Sequence, residues 1–155
     1  VFEAEDPKLA RRVALKVMLP RYAADGLAKA RFLREARSQA KVDHPHVVPI
    51  FQADEADGVP FIAMPLLKGQ SLSAALRQSP RPPVPEVLRI GREIAEGLAA
   101  AHDQGLVHRD INPGNVWLEG AKRRVKILDF GRARAEAAAQ SGDDPTITRQ
   151  GVMVG

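Results

Sequence analysis

Three oxygen-bearing side chains fall close together within residues 108–131, HRDINPGNVWLEGAKRRVKILDFG. Asp110 and Asn115 bracket a short turn-like stretch, and Asp129 follows after two brief apolar runs. A carboxylate can orient an attacking hydroxyl and accept its proton. A second carboxylate and a neutral amide oxygen are the hard ligands that Mg²⁺ favours. Phosphoryl transfer asks for little covalent chemistry from a protein and for much positioning of this kind. Asp110 is therefore the candidate proton acceptor, with Asn115 and Asp129 as candidate metal ligands. Phe130 reads as an apolar hinge, and Gly131 as the residue that allows an unusual backbone turn.

Another pair of charges lies far upstream. Lys16 sits in the apolar run VALKVM, and Glu35 lies 19 residues on, where helical spacing puts it on the same face as Ala28, Phe32, Ala36 and Gln39. A charge on the inner side of each element is costly unless the two are paired. The expectation is a Lys16–Glu35 ion pair.

The elements that must carry these residues can be read from pattern. Residues 1–4 and 11–18 read as two strands around a turn at Asp6-Pro7, the second with Val13, Leu15 and Val17 on one face and Ala14, Lys16 and Met18 on the other. A helix runs from about 25 to 40, with Asp25 as its N-cap. The runs HPHVVPIF (44–51) and VPFIAMPLL (59–67) read as a strand pair around Asp57-Gly58. A short helix is expected near 71–78, then a proline-rich connection, then a long helix over 86–104 with Val87, Ile90, Ile94, Leu98 and Ala101 along one stripe. Strands are expected at 115–118 and 124–128, and beyond Gly131 the chain turns small and polar, as a mobile loop would. Strands with one helix come first and mostly helix afterwards, which points to two small lobes.

Bulk properties exclude several classes. The 155 residues, 45% hydrophobic and 27% charged, suit a globular protein with one ordinary core. The net charge of +4 is scattered, mostly as arginine, without the clustered basic stripe of a nucleic-acid binder. Cysteine is absent, which excludes disulfides and thiolate metal sites and fits a reducing, cytoplasmic compartment. No apolar run approaches the roughly 18 residues of a membrane span. The chain starts at Val1 and stops at GVMVG, so both ends read as cut from a longer protein that could carry an anchor elsewhere.

Taken in order, VALKVM, FLREA, DHPHVVPIF, GLVHRDINPGN and KILDFG resemble the eukaryotic-like serine/threonine protein kinases, especially their bacterial branch, along essentially the whole chain. The resemblance implies an α+β, two-lobed kinase fold truncated at both ends. Residues 1–64 would be a partial N-lobe without its Gly-rich loop, 65–69 the hinge, and 70–155 a partial C-lobe ending within the activation segment. It implies ATP and Mg²⁺ as cofactors and protein Ser/Thr hydroxyls as acceptors, with no nucleic acid or membrane contact in this segment. Lys16, held by Glu35, would meet the α- and β-phosphates. Met64 would be the gatekeeper, Pro65 and Leu67 the backbone contacts to adenine, and Ala14 and Trp117 the two faces sandwiching it. His108 would support Phe130, and Arg109 would meet an activation-loop phosphate, with Thr146 and Thr148 the candidate acceptors.

This chain departs from the family pattern in places. Asn112 stands where a lysine normally steadies the transferring phosphate, so it joins the catalytic candidates and raises a pseudokinase as the alternative reading. Gln39 replaces an apolar side chain that would pack on Phe130, and a looser helix is expected there. A small-molecule kinase of the same fold is a further alternative, disfavoured by the D-F-G sequence.

Overall fold

The computed structural model of the chain describes residues 1–130. Strands β1 (Phe2–Asp6) and β2 (Arg11–Val17) form a hairpin. Its loop closes on Asp6, whose carboxylate accepts the Lys8 and Leu9 N–H groups at 3.1 and 3.3 Å. A short helix α1 (Pro20–Ala23) precedes α2 (Gly26–Gln39). Asp25 caps α2 as expected, accepting the Leu27 N–H at 2.9 Å. The N-terminal lobe thus holds α1 besides the one helix anticipated.

Strands β3 (Gln52–Ala56) and β4 (Val59–Pro65) pair through the turn at Asp57-Gly58, where both residues have positive φ. The sheet is antiparallel in the order β1-β2-β4-β3. Lys16 pairs in register with Ile62, and Ala14 with Met64. Strand alternation puts these four side chains on the face turned towards α2.

The strand expected over 44–51 does not form; the strand lies at 52–56 instead. Pro45 and Pro49 cannot donate to a ladder, so this run is a poor strand. Its apolar content serves another purpose. Val47 and Val48 are each 1% exposed, wedged against the second half of the molecule. The Val48 N–H donates to the Ile127 carbonyl at 3.0 Å, and the Ile127 N–H donates to the His46 carbonyl at 2.8 Å, an isolated parallel bridge.

The second lobe begins with β5 (Gly69–Ser71), unforeseen in the sequence, then α3 (Leu72–Gln78) and α4 (Val84–Asp103). Ser71 caps α3 through the Ala74 N–H at 3.1 Å. Strands β6 (Val116–Glu119) and β7 (Arg124–Ile127) complete an antiparallel sheet in the order β5-β6-β7. Val116, Leu118, Val125 and Ile127 face α4 and join Ile90 and Ala101 in the core. Val87, expected on the buried stripe, is 49% exposed. Its place is taken by Glu93 and Gly97, both buried. A Cβ on Gly97 would lie 2.8 Å from Ile127 Cδ1 and 3.1 Å from His46 Cβ, so the absent side chain lets α4 approach β7 closely. The architecture is α+β, a small antiparallel lobe followed by a helix-rich one. Among the described residues no helix is long and apolar enough to cross a membrane.

Candidate active site

Lys16 leaves β2 towards α2 and the second lobe. Its ammonium pairs with the carboxylate of Asp129, joining residues 113 positions apart. Asp129 has φ +54°, in the left-handed region, at the turn after β7. Lys16, Glu35, Gln39, Ile62, Met64 and Asp129 line one cavity of about 210 Å³ between the first sheet, α2 and the Asp129 turn.

The expected Lys16–Glu35 ion pair is not formed; Lys16 takes Asp129 instead. Burial of Glu35 pushes its carboxyl above the ordinary value of 4.5, against the opposing charges of Arg31, Arg34, Lys16 and Arg109. Glu35 still lines the same cavity as Lys16, so the two residues are brought together without direct contact. Arg109, exposed and at φ +65°, acts on Glu35 through its field. Composition and spacing gave no hint of that link.

Gln39 does not loosen α2. It is 6% exposed, and its Nε2 donates to the Val48 carbonyl at 3.0 Å, tying the helix to the bridging segment. The amide satisfies a buried carbonyl where an apolar side chain would have left it bare.

Beneath the cavity, the 108–115 loop is held by its own polar groups. His108 is 2% exposed and packs on Phe130 with ring centroids 4.7 Å apart, as expected. Its Nδ1 accepts the Asp110 N–H at 3.3 Å, which makes Nε2 the protonated nitrogen, donating to the Leu128 carbonyl at 2.7 Å. Asn115, 7% exposed, donates through Nδ2 to the Asp110 carbonyl at 2.8 Å and to Asp110 Oδ2 at 3.1 Å. Asn112 Nδ2 donates to Asp110 Oδ1 at 3.1 Å and to the same carbonyl at 3.2 Å. The Leu128 N–H donates to the Asn115 carbonyl at 2.9 Å, which sets Asn115 beside the Asp129 turn.

The adenine-pocket candidates lie apart from the 210 Å³ cavity except for Met64. Ala14 is buried on β2, Pro65 ends β4, and Leu67 follows it. Trp117 is 9% exposed on the side of β6 opposite Val116 and Leu118, and its indole N–H has no hydrogen-bond partner among the described residues. Thr146 and Thr148 lie outside the described residues.

One supporting residue was missed. Glu93 of α4 accepts the Val125 N–H at 2.8 Å and an Arg89 N–H at 2.7 Å, pinning the strand that leads to Asp129. Burial alone would raise its carboxyl, but these two donors and the His46 ring outweigh it and hold Glu93 below 4.5. The signal was present: Ile90, Glu93, Gly97 and Ala101 follow helical spacing, and a carboxylate on a buried stripe requires partners.

The chain is similar to known proteins along nearly its whole length. The protein kinase domain model matches residues 1–151. Serine/threonine-protein kinase PknD of Mycobacterium tuberculosis is 40% identical over 156 residues, covering 100% of this chain and 22% of that protein. The probable serine/threonine-protein kinase pknA2 of Bifidobacterium longum is 36% identical over 158 residues, with 100% and 20% covered. The crystal structure of the M. tuberculosis PknI kinase domain superposes with a TM-score of 0.74 at 35% identity, over 92% of this chain and 60% of that one. The chain therefore spans about a fifth of the length of these two curated relatives. With the family model covering nearly every residue, the chain belongs to the protein kinase domain family.

Proposed function

We propose that this chain is the central part of the catalytic domain of an ATP- and Mg²⁺-dependent serine/threonine protein kinase. The observation that carries the reading is the convergence of Lys16, from the first lobe, on Asp129, with the Asp110–Asn115 loop secured beside it. The division into residues 1–64, a 65–69 hinge and 70–155 follows from the same reading. Among the described residues no group of three or more carboxylate, His or Cys side chains could hold a metal alone. That suits Mg²⁺, which is commonly held by one or two protein ligands together with substrate phosphates. Asn115 and Asp129, both oxygen donors, would hold the ion. When bound, ATP and Mg²⁺ supply the phosphoryl group and neutralise its charge.

Asp110 orients the acceptor hydroxyl of a protein Ser or Thr and takes its proton. Lys16, lining the cavity, offers its ammonium to the α- and β-phosphates, and Glu35 lines the same cavity beside it. Ala14, Met64, Pro65, Leu67 and Trp117 surround the base, and Arg109 serves regulation through Thr146 or Thr148. The pseudokinase reading rests on Asn112 alone, which puts no cation beside the transferring phosphate. Transfer of radiolabelled phosphate from ATP to a generic protein substrate by the intact protein tests the proposal. Incorporation lost in Asp110→Ala supports it; equal incorporation in both defeats it.

A further inference from the structure

We infer that Asn112 is a positioning residue for Asp110, fastening the carboxylate that receives the substrate's proton; this rests on the phosphotransfer reading of the loop. Each oxygen of Asp110 is met by a different amide, Oδ1 by Asn112 and Oδ2 by Asn115, both at 3.1 Å. Both amides also donate to the Asp110 main-chain carbonyl, at 3.2 and 2.8 Å. A carboxylate gripped at both oxygens cannot turn about its own bond without losing a hydrogen bond, so its plane is fixed before a substrate arrives.

The other end of the Asn112 amide is also engaged. Its Oδ1 accepts the Gly114 N–H at 2.8 Å, which assigns the amide orientation. A Cβ on Gly114 would sit 3.0 Å from that same oxygen, so the turn is shaped around the Asn112 side chain. The Asn115 N–H donates to the Asn112 carbonyl at 3.0 Å, and the Pro113 carbonyl accepts the Ser73 N–H at 2.9 Å, which fastens the turn to α3. A lysine has donors but no acceptor and could not bridge Gly114 to Asp110 in this way. Asn112 thus works upon Asp110, and the cation of the cleft comes from Lys16.

The test compares Asn112→Ala, Asn112→Ser and Asn112→Asp in the full-length protein by steady-state phosphate transfer, with thermal midpoints recorded and Asp110→Ala as control. Ser and Asp retain an oxygen that can accept the Gly114 N–H; Asp has no donor for Asp110, and Ser has a single, shorter hydroxyl donor in place of the two contacts made by Asn112 Nδ2. All three are expected to lose about tenfold or more in kcat with KM for ATP changed less than about twofold. Asn112→Ser carries the comparison if the Ala or Asp variant fails to fold. Wild-type kcat in Asn112→Ser or Asn112→Asp would reduce Asn112 to a brace of the turn and overturn the inference. A raised KM for ATP at unchanged kcat would overturn it too, because it would place Asn112 on the nucleotide. Full activity in Asp110→Ala is a separate result, defeating the phosphotransfer reading itself.

Discussion

Replacing Glu93 by alanine is expected to cost more than any change at the protein surface, because its carboxylate serves two donors from inside the α4–β7 interface. The Val125 N–H, 2.8 Å from Oε2, would be left without a partner between strand and helix. A buried orphaned donor costs about 1–3 kcal/mol. Arg89 would lose its 2.7 Å contact but keep the Arg123 carbonyl at 3.2 Å and Glu86 at 4.0 Å, so its share is smaller, about 1 kcal/mol. A net loss of about 3 kcal/mol follows, at the low end of what breaking a buried charged pair costs. For a cooperative unit of about 150–250 residues that corresponds to a fall of roughly 6–12 °C in Tm. Glu93→Gln, which keeps one acceptor oxygen, should lose about half as much. The pH dependence has a definite sign. A carboxyl held below 4.5 in the folded state stabilises the fold above its ordinary pKa, and this contribution disappears as pH falls through the lowered folded value. The stability difference between the wild type and Glu93→Gln should therefore shrink in acid. Thermal melts of the intact protein across pH measure both effects. A Glu93→Ala midpoint within 2 °C of wild type, or a difference that persists in acid, would refute the reasoning.

Other outcomes follow from the same geometry. Gly97→Ala should destabilise by about 1–3 kcal/mol, since the new Cβ would meet Ile127 Cδ1 at 2.8 Å, while Gly91→Ala on the same helix, with open space around it, should stabilise by up to about 1 kcal/mol; urea denaturation compares them. Glu35 titrates in the opposite sense to Glu93. Its raised carboxyl contributes stability that is present below 4.5 and lost as pH rises through the folded value, so melts of Glu35→Gln against wild type should show the wild-type advantage falling as pH rises. Gln39→Leu should weaken the hold of α2 by leaving the Val48 carbonyl unpartnered, read as faster amide exchange along α2.

How far the sequence reached depended on the kind of signal each residue leaves. In the 108–130 stretch His108 against Phe130 is found as read, and the two strands lie close to where the spacing put them. Helices α2 and α4 were legible from their apolar period and from the Asp25 cap. Residues 44–51 misled because Val47 and Val48 are apolar for the sake of an inter-lobe contact, which looks the same in one dimension as a buried strand. Strand β3 was missed because four of the five residues of its sequence, QADEA, are exposed, so no apolar face marks it. The Lys16–Glu35 pair was expected from two elements alone, whereas Lys16 meets Asp129, 113 residues on, a long-range approach that local spacing does not encode.

The bridge between His46–Val48 and Ile127 has a mechanical consequence. Main chain runs from the first sheet to the second through residues 65–69, and the bridge grips β7 at another point. The His46 ring adds a contact to the Val125 carbonyl at 3.1 Å, and Lys16 adds its pair with Asp129, so β7 and the turn after it are held at several points. Gln39 hangs α2 from Val48, and Asp129 stands two residues past Ile127, so the helix and the Asp129 turn are both set by this one bridge. Whatever displaces the bridge therefore displaces α2 and the Asp129 turn together.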